Sequence, residues 1–490
     1  MIHSLKIVTF SCILTLLVGS GTFAQETQLY RSGTLLDGIE NPHEHVFRDD
    51  KKGFGFTFSP MDLNFSMTTM GPKSVRMTNF LFGDDIDYDL SSYPISDKMN
   101  YMNFKFRTDI LAMRFRVQKK TNMEFTYAIQ LFNDNQLSVS DNFVNLALMG
   151  NAPYVNQTMN AFANGFNYTN TYARFTYGLR RSFLEGNKLS VGVNYHRYYG
   201  LLFLGNEIDN SNFITYPVDS THAYFHGTFY TIANYQDSIY QKVINKPYYY
   251  HGEVNNHDTT NQMSDGLTTV ATQTVKTILL TNIGKSGGRG FSIGASYNIN
   301  DKLSVSGAIK DVGKITWSEK SVRYVYEMDS TYIGLVNIIY DTSASFEPLV
   351  NVKNFPTAGN PAKWRWIDSF LMSYVIDTIQ GEFKTNLPTA YELGVGYIWL
   401  PWYSTYLHIQ KYHYYPNYQF TIINRFKAWR SVHFNINMGV GTYTHYTLGA
   451  QMMISSKSID YFIGSEQIGN GFLKFTQLGF DFHMGFAWKL

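Results

Sequence analysis

Asp481 and His483 stand two residues apart in the closing stretch "LGFDFHMGFAWKL". With a serine these residue types make a hydrolytic triad. On an extended strand they share one face, about 6.6 Å apart along the chain, whereas a triad needs each pair within hydrogen-bond reach. The spacing therefore reads them as polar residues of an interior. "GKS" at 284–286 suggests a phosphate loop, but Leu279 stands where the first glycine is needed and a strand follows in place of a helix. Asp85, Asp87 and Asp89 have the alternate spacing that opens a calcium loop. Leu90 then occupies the glycine position and Ser96 the bidentate acid position, so the pattern fails. His222 with His226, and His43 with His45, have metal-compatible spacing without a third fixed ligand. No catalytic residue, cofactor site or metal site is expected, and the chain is read as a non-enzyme.

The elements around these residues are more informative. In the closing stretch Leu478, Phe480, Phe482, Met484, Phe486, Trp488 and Leu490 alternate with small or charged residues, among them Asp481, His483 and Lys489. The same period-two pattern recurs in fourteen runs from residue 54 to the end, for example 189–199, 291–299 and 391–399. Alternation alone also fits a soluble sandwich. The connections decide between them: links after even-numbered runs are short ("QKKTN", "NIND", "LPW", "KAWR", "SSKS"), whereas 132–170, 200–288 and 311–388 are long. Short turns at one end, long loops at the other and an even strand number belong to an outer-membrane barrel. The expected fold is all-β, a transmembrane antiparallel β-barrel of about 14 strands. The apolar series of the last strand then faces lipid and Asp481, His483 and Lys489 face the lumen. Trp399, Trp402, Trp429 and Trp488 all fall at the short-turn end, where indole rings form an aromatic girdle at headgroup level.

Composition agrees with this class. The chain has 490 residues, a formal net charge of +2, 16% charged residues, and 37 Tyr, 37 Phe and 7 Trp; the even charge balance lacks the basic footprint of a nucleic-acid binder. Lys6, an apolar run from Ile7 to Val18 and Thr22-Phe23-Ala24 read as a secretory signal cleaved after Ala24. Cys12, the single cysteine, lies within it, so the mature chain is expected to lack thiols and disulfides. The expected domains are a signal peptide at 1–24, a periplasmic or hatch segment at 25–53 and the barrel at 54–490, in the outer membrane of a Gram-negative bacterium.

Three stretches carry a family resemblance: "GGRGFSIGASYNINDKLSVSGAIKDVGKITW" (287–317), "DNFVNLALMGNAPY" (141–154) and the strands from "LPTAYELGVGY" (387–397). They resemble an uncharacterised family of Bacteroidetes outer-membrane barrels that is similar to the FadL/PorV-like group. The resemblance implies 14 strands with an N-terminal hatch, and either transport or binding of a hydrophobic or small molecule or a scaffold role in a type IX-like secretion or surface-attachment apparatus. Where transporters of that group carry Asn-Pro-Ala, this chain has Asn41-Pro42-His43. The implied partners are outer-membrane lipid, a hydrophobic ligand, and surface or secretion proteins, with no nucleic acid. The long link 201–286, with Tyr198, Tyr199, Tyr216, Tyr224, Tyr230, Tyr235, Tyr240 and Tyr248 to Tyr250, reads as an outer loop over the barrel mouth. Residues 311–388, with "KWRW" and Glu347-Pro348, read as a second, and 141–164 as a stretch containing a short helix that folds into the lumen.

Overall fold

A computed structural model describes residues 36–42, 53–58, 62–71, 94–118, 123–149, 152–184, 188–216, 220–231, 286–319, 321–333, 374–413, 418–429, 431–441, 444–465 and 479–490. Their strands form one antiparallel ring. β1 (Phe54–Phe58) and β2 (Asp62–Met70) share one position, each pairing with β3 (Met99–Gln118) on one side and β20 (Gly479–Lys489) on the other. From β3 the ring passes through β4 (Met123–Ser140), β6 (Gly165–Phe183), β7 (Leu189–Tyr216), β9 (Ser286–Asn298) and β10 (Leu303–Trp317). β13 (Phe383–Asn386) and β14 (Ala390–Leu400) share the next position, both paired with β10. β15 (Tyr403–Tyr412), β16 (Gln419–Lys427), β17 (Val432–Gly441), β18 (Thr444–Ser455) and β19 (Ile459–Ser465) lead back to β20. Among the described residues this makes fourteen positions, and the ring is closed.

Alternating burial shows which way each strand faces. On β4 every second residue from Glu124 to Asp134 is buried, and on β7 every second residue from Ser190 to Gly200. The outward series on β14 to β17 includes Leu393, Phe420, Ile422, Ile436 and Met438, all exposed. The first and last strands meet at the short-turn rim, where the Leu490 amide donates to the Phe54 carbonyl at 3.0 Å.

On one side the strands run far past the ring. A crossing strand needs about 9 to 11 residues, yet β3 has 20, β4 has 18 and β7 has 28. The far half of β7 leaves β9 and pairs with β5 (Thr158–Asn160) and with β8 (Ser220–Thr231), which pairs with β11 (Val322–Ile333), which pairs with β12 (Tyr374–Gln380). In their described parts, the three long links expected as loops are therefore largely strand. Tyr216, Tyr224 and Tyr230 lie on β7 and β8, and Tyr198 is buried at an inward position of β7. Their sequence is rich in Tyr, Thr and Asn, which suit a pleated surface and weaken the hydropathy alternation. Tyr235, Tyr240, Tyr248 to Tyr250, Glu347-Pro348, "KWRW", Asp85 to Asp89, His43 and His45 lie outside the described residues.

A helix does form over α2 (Asp141–Met149), but it does not enter the lumen. Val144 and Leu146 pack with Met102, Met159, Phe162, Phe213 and Phe225. Met102 lies on the face of β3 opposite the inward residues Lys105 and Arg107, so α2 covers the outer face of the raised wall. The Ser140 hydroxyl accepts from the Phe143 amide at 3.0 Å and starts the helix as an N-cap, while Asn100 ties Asp141 to β3 at 2.7 Å.

Candidate functional site

Inside the ring sits residues 36–42, whose central turn is α1 (Asp37–Glu40). Leu36, Asp37, Ile39, Glu40 and Asn41 are all buried. Leu36 and Ile39 pack on Ala112, Ala128 and Ala487, small inward residues of β3, β4 and β20 that make room for them. Gly192 on β7 faces Pro42, and a Cβ there would collide with the Pro42 carbonyl oxygen. Asn194, two residues on, donates to the Gly38 and Ile39 carbonyls at 3.0 and 2.8 Å. These bonds matter because a single helical turn leaves its carbonyls without intrahelical partners.

Charge fixes the segment more tightly. Arg180 on β6 donates to Asp37 at 2.9 Å and to Glu124 at 2.5 Å, and Glu124 also pairs with Arg114. Arg174 donates to Glu40 at 2.8 Å, to Asp311 at 2.9 Å and to Gln130 at 2.9 Å. Arg107 lies 3.3 Å from Glu40. Lys310 on β10 bridges Asn41 at 3.0 Å and Glu392 at 2.5 Å. The barrel wall contributes five cations to this cluster (Arg107, Arg114, Arg174, Arg180, Lys310) and four carboxylates (Asp109, Glu124, Asp311, Glu392). The segment adds Asp37 and Glu40, which brings carboxylates to the wall's arginines. Buried ions hold only when paired and hydrogen-bonded in this way.

Asp311 occupies an unusual backbone position. It has φ 50° within a register shift of β10 between Ile309 and Val312. Bulges re-aim side chains, and this one turns the Asp311 carboxylate onto Arg174 and the Tyr198 hydroxyl, the latter at 3.0 Å. Its amide donates to the Ser292 hydroxyl at 2.9 Å. Toward the long-loop rim an aromatic layer follows: Phe132 stacks on Tyr172, and Phe203, Trp317 and Phe383 pack together beside Tyr198. Trp317 is fully buried, with its indole N–H donating to Thr385 at 3.0 Å. Higher on the wall, Glu207 accepts from Tyr168 at 2.8 Å and Tyr230 at 3.3 Å. Burial first, and then the Glu207 carboxylate, hold both phenols above their ordinary range, so they remain donors.

On β20, Asp481, His483 and Lys489 are buried at inward positions, while Phe482, Met484, Phe486 and Trp488 take the alternate, half-buried positions and Leu490 is exposed. Phe480 lies on β20, and Leu478 lies outside the described residues. Asp481 accepts from Ser465 at 2.7 Å, and His483 stands 3.7 Å from Asp481. A triad needs the imidazole between the hydroxyl and the carboxylate; here the carboxylate is in the middle. Lys489 reaches Asp460 at 2.7 Å and Ser455 at 3.0 Å, pinning the strand's end to the turn beside it. Trp399, Trp402 and Trp429 are exposed beside the short-turn rim, and Trp488 stacks against Phe56 and Phe58. His226 bonds Asp209 at 2.7 Å on the raised wall, with His222 four residues away on the same strand. Ser286 opens β9.

Sequence reasoning left Asp37, Glu40, Arg107, Arg114, Arg174 and Arg180 without a role. The available signal was arginine at positions whose neighbours alternate outward, as in "YARFTYGLRRSF" (172–183). A cation at an inward strand position demands a buried counter-ion.

A closed antiparallel ring with an apolar exterior and ion pairs inside defines a transmembrane β-barrel of the outer-membrane type, because hydrocarbon tolerates a sheet only when no edge is left open. The chain belongs to the family of unknown function DUF5723, which matches residues 56–466. No curated protein matches it. Among solved structures it is similar to the toluene transporter TodX of P. putida, at 8% identity over 93% of this chain and 92% of that one, with a TM-score of 0.39. A FadL homologue of Pseudomonas aeruginosa matches at 10% identity over 96% and 99% of the two chains, with a TM-score of 0.38. The translocator domain of the autotransporter NalP from Neisseria meningitidis matches at 6% identity over 95% and 100%, with a TM-score of 0.32.

Proposed function

We propose that the protein is an outer-membrane barrel that admits a small molecule through its lumen, with residues 36–42 as the hatch that closes it. The observation that carries this reading is the way the segment is held. Its two carboxylates seat on wall arginines that keep other partners when it leaves: Arg180 keeps Glu124, and Arg174 keeps Asp311. Vacating the seat therefore leaves neither Arg174 nor Arg180 without a carboxylate. In this reading the outward face of β20 meets lipid, Asp481, His483 and Lys489 line the lumen, and Trp399, Trp402, Trp429 and Trp488 form the girdle of the periplasmic rim. The aromatic layer near the outer rim receives an apolar part of the solute, and the ionic and amide-rich lumen below favours one that also carries polar groups.

Purified protein in planar bilayers tests the proposal. Wild type is expected to be closed or nearly so, and a chain lacking 36–42, or carrying Asp37→Asn with Glu40→Gln, is expected to show discrete conductance steps. Equal conductance in all three rules out the hatch. A scaffold role is the second reading, favoured by the raised wall of β3, β4, β6, β7, β8, β11 and β12 with α2 packed on its outer face. A partner that co-purifies stoichiometrically, lost when β8 and β11 are shortened, would support it.

A further inference from the structure

On the opposite wall from Arg174 and Arg180, β15 and β16 place four polar side chains together at inward positions. His408 faces Thr421 and Gln410 faces Gln419 across the two strands. All four residues are more than nine-tenths buried. His408 Nδ1, Gln410 Oε1, Gln419 Oε1 and Thr421 Oγ1 have no hydrogen-bond partner. One such atom is a common local defect, but four on two adjacent cross-strand pairs form a surface. Directly opposed side chains stand about 5 Å apart and alternate residues of a strand about 7 Å apart, so the four atoms mark a patch of roughly 5 by 7 Å.

Each of the four atoms has less than 1 Å² exposed, and glycines stand at three of the flanking positions. Gly394 stands beside His408 on β14, and Gly439 and Gly441 stand beside Thr421 and Gln419 on β17, so no flanking side chain fills those positions. The orientation of Gln410 is set by its amide nitrogen, which donates to Glu392 and to the Tyr412 hydroxyl, both at 3.1 Å. Its carbonyl oxygen is thereby turned to the patch. Glu392 pairs with Lys310 and also stands 3.7 Å from His408 Nε2, so the four unpartnered atoms themselves are two amide carbonyls, a hydroxyl and an imidazole nitrogen. Two obligatory acceptors beside a hydroxyl that both donates and accepts, and an imidazole nitrogen that does one or the other by tautomer, match ligand hydroxyls, which do both.

We propose that His408, Gln410, Gln419 and Thr421 form a luminal binding site for a neutral, hydroxyl-rich small molecule about the size of one saccharide ring. The site is linked to the hatch through a continuous run of contacts: Asn41 to Lys310, Lys310 to Glu392, and Glu392 to Gln410. Access to it rests on the gating reading above, and its chemistry is tested separately from gating.

Titration calorimetry in a detergent without a sugar headgroup is the test, using D-glucose, D-galactose and D-mannose as probes and toluene as an apolar control. Both the full chain and the chain lacking 36–42 are titrated. The expected result is saturable binding of at least one hexose to the shortened chain. Gln419→Met with Thr421→Val should weaken it about tenfold or more, since each substitution removes a hydrogen bond to the ligand. Thr57→Val, which removes another buried unpaired hydroxyl elsewhere in the ring, should leave it unchanged. The same double substitution should keep or raise thermal stability of the unliganded protein, which a purely structural role would not allow. Absence of hexose binding to the shortened chain, binding indifferent to the double substitution, or a patch that orders water alone at high resolution would each overturn the site. Conductance of the shortened chain without hexose binding would overturn the site and leave the hatch standing. Hexose binding equal in both chains would overturn the hatch and leave the site standing.

Discussion

Arg180 and Arg174 carry most of the electrostatic load at the level of single residues. Each is buried, and each joins a carboxylate of residues 36–42 to a wall carboxylate. Deleting one partner of such a pair strands the other, which costs about 3 to 5 kcal/mol. Arg180→Ala is therefore expected to lower the temperature at which the folded band converts to the unfolded band in heat-modifiability gels. Asp37→Asn should move it far less, because Arg180 keeps Glu124. An Asp37→Asn variant as unstable as Arg180→Ala would contradict this ranking. Gly192 makes an independent prediction. Gly192→Val adds bulk where the Pro42 carbonyl now sits, so it should raise conductance with every charge intact while the barrel still migrates as folded.

At the scale of elements, β20 gives the most direct test of facing. Phe482 takes an outward position between the buried Asp481 and His483. Phe482→Lys should impair insertion by about 2 to 4 kcal/mol if the residue lies near the membrane midplane, read as loss of folded protein from the outer-membrane fraction; unchanged yield would argue that this face does not meet lipid. The strands with one apolar face could be read from sequence because their period of two reflects two different solvents. The raised parts of β7, β8 and β11 were harder to read, since Tyr, Thr, Asn and His dilute the contrast between the faces, although Phe213, Ala223 and Phe225 line the one that α2 covers. α2 was readable as a helix from "DNFVNLALM", but its apolar stripe does not say which side of a sheet it will cover, and it lies on the outer face. Residues 36–42 were the least readable: a seven-residue stretch has too few positions for periodicity, and its partners lie 143 and 269 positions away at Arg180 and Lys310.

For the molecule as a whole, the ring is proposed as a fixed frame and residues 36–42 as the component, among the described residues, that leaves its seat. The geometry at Gly38 allows this to be examined in a single variant. A Cβ at Gly38 would lie 3.4 Å from Thr126 Cγ2 on β4, an atom at the γ position that a cysteine sulfur would take, so the two positions are near enough to try an engineered disulfide, and Cys12 is the only cysteine of the chain. Gly38→Cys with Thr126→Cys, added to Asp37→Asn with Glu40→Gln, should form that bond under oxidising conditions. The decisive measurement is the bilayer conductance of this variant before and after a reductant. Silence that gives way to conductance steps once the bond is cut is the predicted result; steps of the same size and frequency under both conditions, in a chain shown by mass to carry the bond, would mean that residues 36–42 do not close the lumen.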